Sequence, residues 1–424
     1  MALLVQKYGG TSVTSPEHIG HVADRVAAAR QLGHRIVVVV SAMGEETDRL
    51  NALAQATNPA PRPRELDVLL ATGEQATIAL LAMALERRGC AARSFTGAQA
   101  GIRTDATHNR ARIESIDPTA IREALANKQV AVVAGFQGVD ANGNITTIGR
   151  GGSDTTAVAL AAAIGADECQ ICTDVDGVYT ADPRIVPAAR RLDRISMEEM
   201  LELSGMGSKV LHPRAVEYAG RHRVPVRVVS TFMSGDGTLV DHQQSDMEGP
   251  QLVGIACNRD EAMITVSGIP DQSGIGAALM GPLADANIDV DMVVQNQGQD
   301  GRIDLSFTVQ RGDHDRALRR LRQTADELSA RSVSANDKIA KISVVGAGVR
   351  RSHAGVVSKL CQVLAGEGID IRMLSTAEIK VSVAVDEKYL ELAVRALHDA
   401  FQLDRAEDTG SEDRHTDADT KSAV

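Results

Sequence analysis

The last third of the chain contains an internal repeat, and this repeat constrains the fold more than any other feature of the sequence. Residues 273–293 align without gaps onto residues 354–374, an offset of 81, and seven of the 21 aligned pairs are identical. In both copies a short apolar run precedes the aligned segment, another follows it, and a further helical segment comes next. Two copies are too few for a solenoid. The pattern predicts two small βαββαβ modules.

The residues before the repeat follow a different pattern. Short apolar runs alternate with helical segments, which is typical of a mainly parallel sheet with helices on both faces. Residues 35–41 (RIVVVVS) form a continuous β-branched run, as expected for a strand buried on both faces. A helix is predicted after Ser15, with Ser15 as its N-cap and Pro16 at its first position. Further strands are predicted at residues 2–6, 91–95, 129–134, 168–173 and 226–229, and helices at residues 64–87, 118–127, 153–164, 196–204 and 213–221.

Composition and charge exclude several classes of protein. The 424 residues include 45 basic and 56 acidic side chains, a net charge of −11, and only 2% are aromatic. This balance argues against nucleic-acid binding, because phosphate backbones attract cations and single strands stack on aromatic side chains. No run of about 18 apolar residues is present, and the short apolar start is unlike a secretory leader. We expect a cytoplasmic, multi-domain protein that binds neither nucleic acid nor membrane.

The five cysteines do not follow the pattern of a disulfide framework. Cys169 and Cys172 have the CxxC spacing of redox and zinc sites, but they fall on a predicted strand, where residues three apart point to opposite faces. A second CxxC or a pair of histidines would be needed for a zinc site, and neither accompanies them. We therefore predict no metal site formed by protein ligands. His18, His21 and His212 are interpreted as structural or solvated.

The first chemical signal is the turn KYGGTS at residues 7–12, directly after a predicted strand. Glycines at this place let backbone N–H groups approach phosphate oxygens, and a lysine can neutralise charge that develops during phosphoryl transfer. The two glycines alone are equally well explained by a turn without a ligand. The combination with Lys7 favours a phosphate site, although it is not a Walker A loop.

A second glycine-rich turn, GRGGSDT at residues 149–155, leads into an apolar helix. Its glycines and hydroxyl groups can form an anion-binding nest, and Arg150 can hold a carboxylate through two parallel hydrogen bonds. The alternative is a capped helix start, with Ser153 or Asp154 as the N-cap. The two interpretations are compatible.

Two weaker signals involve acidic residues. In TDVDGVYTADPR at residues 173–184, two acids surround a turn and either bind a Mg²⁺–nucleotide or only solvate the loop. Glu74 lies in a helix among Leu70, Ile78 and other apolar residues, where a carboxylate requires a cationic partner. The ammonium group of an amino acid would serve. Ser41 and Thr47 supply hydroxyl groups after another strand.

Together these segments resemble one known family. KYGGTS at residues 7–12, SAM at 41–43, SFTG at 94–97, GRGGSD at 149–154, TDVDGVYTADPR at 173–184 and KVLHP at 209–213 occur in the order found in the aspartokinases of the amino-acid-kinase family. The resemblance extends from residue 2 to about residue 403. It implies an α/β fold: a three-layer αβα kinase domain with a mainly parallel central sheet, followed by two ferredoxin-like βαββαβ ACT domains, which bind free amino acids.

The resemblance also implies a division into domains. Residues 1–245 would form the catalytic domain, residues 263–338 the first ACT domain and residues 339–404 the second. Residues 246–262 would contain a linker and a strand, at residues 252–257, that completes the second module. Residues 405–424 would be an acidic tail with the composition of a disordered segment.

The activity implied by the resemblance is phosphorylation of the side-chain carboxylate of L-aspartate by ATP with Mg²⁺, without a tightly bound cofactor. The product would be 4-phospho-L-aspartate, the first intermediate of the pathway to lysine, threonine and methionine. Lys7 and Asp174 would be catalytic. The implied ATP-binding residues are Lys7, Tyr8, Gly9, Gly10, Ser41, Thr173, Asp174, Tyr179, Asp182, Arg184 and Lys209, and the implied aspartate-binding residues are Thr47, Glu74, Arg150, Gly151, Gly152 and Ser153.

The paired ACT modules imply feedback inhibition by lysine, threonine or both. They also imply a homodimer or higher oligomer, and an internal start near Met247 would allow a separately translated regulatory subunit. Both turns at the start of the repeats, at residues 271–274 and 352–355, lack the proline that is frequent in the family. The implied effector-binding residues are Asp271, Gly274, Ile275, Gly276, Ala277, Asn287, Ile288, Asp289, Gln295, Val356, Val357, Asp370, Ile371, Thr376 and Ala377.

Two alternatives to an aspartokinase are considered. One is a kinase of the same fold that acts on another small acid, such as glutamate or acetylglutamate. The pairing of Glu74 with Arg150, which suits a free amino acid, and the paired ACT modules weigh against it. The other is an amino-acid sensor without activity, which would require loss of phosphate-site residues, yet Lys7, Arg150 and Asp174 are all present.

Overall fold

The computed structural model describes residues 1–205, 210–242, 252–298 and 300–405. These residues form three sheets, of eight, four and six strands. In chain order the strands are β1 Leu3–Tyr8, β2 Arg35–Val40, β3 Ala92–Phe95, β4 Ile102–Thr104, β5 Ile113–Ile116, β6 Val130–Ala134, β7 Gln137–Val139, β8 Ile145–Thr147, β9 Glu168–Thr173, β10 Arg194–Ser196, β11 Val226–Ser230, β12 Thr238–Asp241, β13 Gly254–Pro270, β14 Val290–Gln297, β15 Arg302–Gln310, β16 Ser332–Val345, β17 Met373–Ala377 and β18 Lys380–Asp386.

The helices lie between these strands and after the last of them. Helix α1 starts as predicted, with Pro16 at its first position and the Ser15 side chain accepting a hydrogen bond from the backbone N–H of His18. In chain order the helices are α1 Pro16–Gln31, α2 Glu46–Thr57, α3 Pro63–Glu86, α4 Thr119–Ala126, α5 Gly152–Ile164, α6 Met197–Gly205, α7 Pro213–His222, α8 Ile275–Asp285, α9 His314–Glu327, α10 Ala347–Arg351, α11 His353–Gly366 and α12 Leu390–Ala400.

The eight-stranded sheet has the order β10-β12-β11-β9-β1-β2-β6-β3. Its pairs are parallel, except that β11 and β12 are antiparallel. The predicted mainly parallel sheet is therefore confirmed. Strand β1 lies at the centre, between β9 and β2, so the turn that follows it has neighbours on both sides.

Strand β2 shows why helices cover both faces of this sheet. Val37 and Val39 belong to one apolar core, which includes residues of α5 and α7, while Ile36, Val38 and Val40 belong to another, with residues of α1 and α3. Alternate side chains of a strand point to opposite faces, so a run of β-branched residues fills both cores. This is the predicted three-layer arrangement.

The two cysteines of the CxxC pair also point to opposite faces of the eight-stranded sheet. Cys169 lies in the core on one face of the sheet and Cys172 in the core on the other face. Burial raises the pKa of both thiols, that of Cys172 to about 11, so both stay protonated at neutral pH.

Among the described residues, helix α3 is long and apolar enough to cross a membrane, by length and composition alone. Its buried side chains include Ile78, Leu81 and Leu85, which pack in a core against the eight-stranded sheet. Helix α3 therefore belongs to one of the helical layers that cover the sheet.

The four-stranded sheet has the order β5-β4-β7-β8 and is not predicted by the sequence pattern. Its strands have three or four residues, too few for an alternating pattern to be distinguished from a loop. Helix α2 and the short strands β10 and β12 were also missed. Through β8 the small sheet packs against α3, and the turn after β8 is the glycine-rich segment at residues 149–152.

The six-stranded sheet contains the two repeats, with the order β14-β15-β13-β16-β18-β17 and antiparallel pairing throughout. Strands β13 and β16 have 17 and 14 residues, and each serves both modules. Residues 254–258 pair with 341–345 in the second module, and residues 263–267 pair with 332–336 in the first. The predicted boundaries at 262/263 and 338/339 fall inside these continuous strands.

The point where the two modules meet contains equivalent residues of the repeat. Met292 and Met373, an identical pair at the offset of 81, lie in one small apolar cluster with Ile339. Close by, Lys341 is only 4% exposed and pairs with Glu261 at 3.0 Å and with Asp291. The buried lysine links β13, β14 and β16, and so ties the first module to the second.

Candidate active site

The candidate site lies at the carboxyl end of the eight-stranded sheet. Tyr8, near the end of β1, is level with Val40 on β2 and with Cys172 on β9, and Thr173 is level with Ser230 on β11. Because these four strands are parallel, the turns that follow them meet at one edge. Open α/β sheets bind ligands at this edge.

Lys7 directly connects the two glycine-rich segments, at residues 7–12 and 149–155. Its Nζ lies 2.7 Å from Oδ1 of Asp154 on α5, and both side chains are 13% exposed. A Cβ at Gly9 would lie 3.3 Å from the Lys7 amine, and a Cβ at Gly10 would lie 3.0 Å from the carbonyl oxygens of Ala42 and Gly44. The glycines thus let the turn lie close both to the lysine and to the turn after β2.

Tyr8 is placed differently from the rest of this turn. Its ring is fully buried in the core, and its hydroxyl donates to Oε1 of Gln6 at 3.2 Å. Only the backbone of Tyr8 is therefore left to contact a nucleotide.

The start of α5 corrects one prediction. Neither Ser153 nor Asp154 is the N-cap, because Gly151 occupies that position with φ of 68° and no side-chain cap. The left-handed glycine turns the chain into the helix early, so Ser153 and Asp154 lie in the first turn. Asp154 is then free to pair with Lys7. Asp154 is not among the site residues predicted from the sequence; the signal that could have identified it is the need of Lys7 for a counter-charge.

The turn before α5 is also packed against α7. A Cβ at Gly151 would lie 2.1 Å from Cγ of His212, so the imidazole occupies the space beside this glycine. Nδ1 of His212 accepts a hydrogen bond from the backbone N–H of Arg214 at 3.3 Å, and burial lowers the pKa of the imidazole. His212 is structural, as interpreted from the sequence, but its position adjoins the anion-binding turn. Arg150 is exposed.

Glu74, on α3, contacts the turn after β2. Its side chain is 2% exposed, and Oε1 accepts a hydrogen bond from the backbone N–H of Ala42 at 3.0 Å. Oε2 is buried and has no hydrogen-bond partner among the described residues. Burial raises the pKa of this carboxyl to about 7. Gly73 allows the close approach, since a Cβ there would lie 2.8 Å from Cβ of Ala42.

Ser41 and Thr47 flank this contact. The backbone N–H of Ser41 donates to the carbonyl oxygen of Tyr8 at 3.1 Å, which fixes the turn after β2 beside the turn after β1. Thr47 lies in the first turn of α2, which packs on α3. Both residues are half-buried.

The loop after β9 carries the predicted nucleotide-binding residues. Asp174 is exposed and accepts a hydrogen bond from the Thr173 hydroxyl at 3.0 Å. Asp182 and Arg184 pair with each other at 2.7 Å. The Tyr179 hydroxyl donates to Asp176 at 2.9 Å. Lys209 lies outside the described residues.

The donor set in this region suits Mg²⁺ bound together with phosphates. Among the described residues, no group of three or more His, Cys, Asp or Glu side chains could hold a metal ion without further ligands. Mg²⁺ commonly takes one or two carboxylates and completes its shell with substrate phosphates and water. Asp174, an exposed carboxylate at the end of a central strand, fits that role.

The predicted effector residues lie at matching places in the two modules. In the first module, residues 271–274 connect β13 to α8, residues 275–277 form the first turn of α8, and Asp271 accepts a hydrogen bond from Gln297 of β14 at 2.7 Å. Asn287, with φ of 51°, leads to Ile288, Asp289 and β14, which contains Gln295. In the second module Val356 and Val357 lie on α11, Asp370 and Ile371 precede β17, and Thr376 and Ala377 lie on it. Their effector role stays a prediction.

Comparison with known proteins agrees with this architecture. The amino acid kinase family matches residues 2–230, and an ACT domain family matches residues 264–324 and 342–401. The chain is 58% identical over 406 residues to an aspartokinase of Pseudomonas aeruginosa, covering 95% of this chain and 98% of that protein. It is 49% identical over 408 residues to an aspartokinase of Mycolicibacterium smegmatis, covering 95% and 97%.

Among solved structures, E. coli aspartokinase III is similar with a TM-score of 0.75 and 28% identity, over 94% of this chain and 99% of that chain. That enzyme has been solved in an R-state with aspartate and ADP and in a T-state with lysine and aspartate. The agreement extends over both parts of the chain, the parallel sheet and the paired modules. The chain belongs to the amino acid kinase family, and within it to the aspartokinases.

Proposed function

We propose that this chain transfers the γ-phosphoryl group of ATP to the side-chain carboxylate of L-aspartate, giving 4-phospho-L-aspartate and ADP. The observation that carries the proposal is Oε2 of Glu74, a buried carboxylate oxygen that has no hydrogen-bond partner among the described residues. Oε1 of the same carboxylate is bonded to Ala42, whose carbonyl oxygen lies beside Gly10 in the turn after β1. A buried carboxylate in this state calls for a cation. The α-ammonium group of an amino acid supplies it.

The remaining parts of the site orient the acceptor. With its ammonium group on Glu74, aspartate can extend its α-carboxylate to Arg150 and the first turn of α5, where a helix N-terminus and glycine N–H groups favour an anion. Ser153 and Thr47 supply hydroxyl groups in the same region. The side-chain carboxylate is then the free end of the substrate and points to the phosphate turn.

Phosphoryl transfer requires no general base, because a carboxylate is already ionised at neutral pH. An oxygen of the aspartate side chain attacks the γ-phosphorus, the bond to the β,γ-bridging oxygen breaks, and ADP leaves with that oxygen. Lys7 neutralises charge on the phosphoryl group, and Asp154 holds the Lys7 ammonium in place. Positioning and electrostatic stabilisation thus account for the rate.

Mg²⁺ bound with ATP would neutralise phosphate charge, and Asp174 is the residue that would hold it. Thr173, Tyr179, Asp182 and Arg184 lie on the same loop and would contact the nucleotide. Gly9, Gly10 and the backbone of Tyr8 would contact the phosphates. Lys209, which lies outside the described residues, would be a further contact of the nucleotide.

We also propose that lysine, threonine or both inhibit the enzyme through the paired modules, in a homodimer or higher oligomer in the cytoplasm. The repeat supports two binding places for free amino acids, and E. coli aspartokinase III has been solved with lysine. The reaction would then be the first step toward lysine, threonine and methionine, so its end products would control it.

The test is formation of an acyl phosphate that hydroxylamine traps as a hydroxamate. With ATP and MgCl₂, L-aspartate should react, whereas succinate, which lacks the ammonium group, and N-acetyl-L-aspartate, which lacks its charge, should not. Glu74→Gln should raise KM for aspartate at least about 30-fold. Glu65→Gln is the matched control, because Glu65 lies on the same helix but is exposed and pairs with Arg64.

Three outcomes would contradict the proposal or a part of it. Turnover of L-glutamate or acetylglutamate in preference to L-aspartate would point to the related kinases that act on other acids. Binding of lysine or threonine without turnover of any acid would point to a sensor. Equal rates with succinate and L-aspartate would remove the role given to Glu74.

A further inference from the structure

The loop after β9 belongs to the first part of the chain by sequence but packs into the second module. Ala181, Ile185 and Val186 are buried in the same apolar core as Val394 of α12. Arg395, the next residue of that helix, donates a hydrogen bond to the carbonyl oxygen of Ile185 at 3.4 Å. The loop and α12 therefore form one packed unit.

Thr180 is the polar centre of this contact. Its side chain is 1% exposed, and its Oγ1 lies 2.9 Å from Nε2 of His398 on α12. Its carbonyl oxygen accepts a hydrogen bond from the backbone N–H of Ile255, at the start of β13, at 2.7 Å. Two elements of the second module thus hold a single residue of the loop.

Thr180 is also held by its own loop. Its Oγ1 accepts a hydrogen bond from the backbone N–H of Arg190 at 3.0 Å. A hydroxyl group can accept two hydrogen bonds and donate one, so either tautomer of the imidazole can make the contact between Nε2 of His398 and Thr180. Nδ1 of His398 is buried without a partner among the described residues, so the imidazole makes a single side-chain hydrogen bond. This hydrogen bond is the one to Thr180.

Thr180 lies between residues that the proposed function places in the ATP site. Tyr179 precedes it directly and Asp182 follows two positions later, each tied to a close neighbour, Asp176 and Arg184 respectively. Consecutive Cα atoms are about 3.8 Å apart, so a shift of Thr180 is transmitted directly to both flanks. The hydrogen bond to His398 therefore restrains the nucleotide loop.

The second module is also attached to the first part of the chain at another place. On α6, Glu198 pairs with Arg350 at 2.8 Å and Glu202 pairs with Lys380 at 2.7 Å. These ion pairs do not involve the loop after β9. Removing the Thr180–His398 hydrogen bond should consequently loosen the loop without detaching the module.

We infer that His398 is a positioning residue for the ATP site, through which the second module sets the conformation of the nucleotide loop. The inference rests on the proposed function, since that function places the loop at the nucleotide. His398 touches neither substrate; it acts through Thr180. A ligand that shifts α12 would by this route change nucleotide affinity, and it would leave the aspartate pocket around Glu74 unchanged.

The experiment uses the full-length chain and measures ADP binding with MgCl₂ by calorimetry, together with KM for ATP and for aspartate. His398→Leu and Thr180→Val each remove the hydrogen bond, and each should weaken ADP binding and raise KM for ATP about tenfold, equivalent to about 1.4 kcal/mol. KM for aspartate should stay within about twofold. His398→Gln and Thr180→Ser keep a polar atom that can make the hydrogen bond between positions 180 and 398. These two variants should retain most of the affinity for ADP.

Ser382→Ala is the matched control. Its hydroxyl makes a buried hydrogen bond of 2.7 Å with Ser343 inside the same module, and Ser382 lies on β18, which is separated from β13 by β16. This variant should lower the melting temperature without changing ADP binding. It separates a general loss of stability in the module from the effect on the nucleotide loop.

The double variant provides a second criterion. If the two side chains act through one hydrogen bond, Thr180→Val combined with His398→Leu should weaken ADP binding no more than either single change does. Should His398→Leu fail to fold, Thr180→Val and Thr180→Ser decide the question by themselves. Unchanged ADP binding in Thr180→Val, or an equal change in Ser382→Ala, would overturn the inference.

Failure of the proposed function would look different. ADP binding does not require turnover of aspartate, so a wild-type chain that binds ADP but phosphorylates another acid would refute the proposed acceptor alone. A wild-type chain that binds no ADP would refute both the proposed function and the role given to His398.

Discussion

Lys7 on β1 and Asp154 on α5 form an ion pair of 2.7 Å at the carboxyl edge of the parallel sheet, with both side chains 13% exposed. The pair joins the turn after β1 to the glycine-rich turn before α5. Neither segment requires the other for its own local structure, since β1 is paired on both sides and α5 begins at Gly151. We infer that the pair serves the site and not only the fold.

Asp154→Asn should lower kcat by about 10²–10³-fold, because the Lys7 ammonium loses the charge that fixes it toward the phosphate turn. Lys7→Met should lower kcat at least as much. Steady-state kinetics with ATP and aspartate would measure both. Asp24→Asn, which breaks the more exposed pair with Arg88, is the control and should leave kcat unchanged. Full activity in Asp154→Asn would contradict the role given to the pair.

The pKa of Glu74, raised by burial to about 7, predicts a pH dependence of substrate capture. Only the ionised carboxylate attracts the aspartate ammonium group, so kcat/KM for aspartate should rise as pH increases through about 7. Glu74→Gln should remove this dependence and raise KM for aspartate at least about 30-fold, while KM for ATP changes little. A pH profile of kcat/KM that is flat between pH 6 and 8 in the wild type would contradict the assignment.

The same carboxyl predicts an effect on stability. Its pKa in the folded state lies above the ordinary value of 4.5, so the folded protein binds more protons than the unfolded chain between pH 4.5 and about 7. Its contribution to stability is therefore complete below pH 4.5 and is lost as pH rises through 7, a loss on the order of 3 kcal/mol. Glu74→Gln should melt at a higher temperature than wild type at pH 8 but not at pH 5. The opposite order in thermal melts would refute this account.

Much of the fold follows from the sequence because strong local patterns coincide with the tertiary structure. The run RIVVVV became a strand buried on both faces, and Ser15 with Pro16 began a helix. The repeat predicted two modules, and its identical pair Met292 and Met373 lies at their junction. Where the pattern is shorter than about four residues, as in β4, β7 and β8, it has no period to detect.

The site was harder to predict because its contacts join distant segments. Asp154 looked like a helix cap, and the left-handed Gly151 that moves the cap cannot be identified from residue types alone. The resemblance implied that a strand at residues 252–257 completes the second module, but the continuity of β13 and β16 through both modules depends on sheet pairing over about 80 residues. For Glu74 the sequence already indicates the need for a cation, because a carboxylate in an apolar helix requires one, and Oε2 has no hydrogen-bond partner among the described residues.

Gly151→Ala should be far more damaging than the same change at Gly165, although both glycines are left-handed, with φ of 68° and 70°. A Cβ at Gly151 would lie 2.1 Å from Cγ of His212, whereas a Cβ at Gly165 has no atom within 4 Å. Gly165→Ala should cost about 1 kcal/mol for backbone strain alone. Gly151→Ala should also disturb the anion-binding turn, and aspartate turnover should fall at least about tenfold.

His212→Ala is the partner change that tests this explanation. Added to Gly151→Ala, it removes the ring that the new methyl group meets, and it should restore part of the lost activity. Kinetics of the single and double variants would measure the rescue. If the double variant is no more active than Gly151→Ala, contact with His212 is not the reason for the glycine.

The sharing of β13 between modules predicts where the regulatory part can be cut. A fragment of residues 247–405, which starts at the predicted internal Met247, keeps every described strand of the six-stranded sheet and should show one cooperative thermal transition (Met247 itself lies outside the described residues). A fragment of residues 260–405 loses the pairing of 254–258 with 341–345 and exposes an apolar strand edge of the second module. It should aggregate or melt in two steps, with fast hydrogen exchange at residues 341–345. Ala181, Ile185 and Val186 are missing from both fragments, so both should have a lower melting temperature than the full chain. Equal stability of the two fragments would show that residues 254–258 are dispensable to the second module.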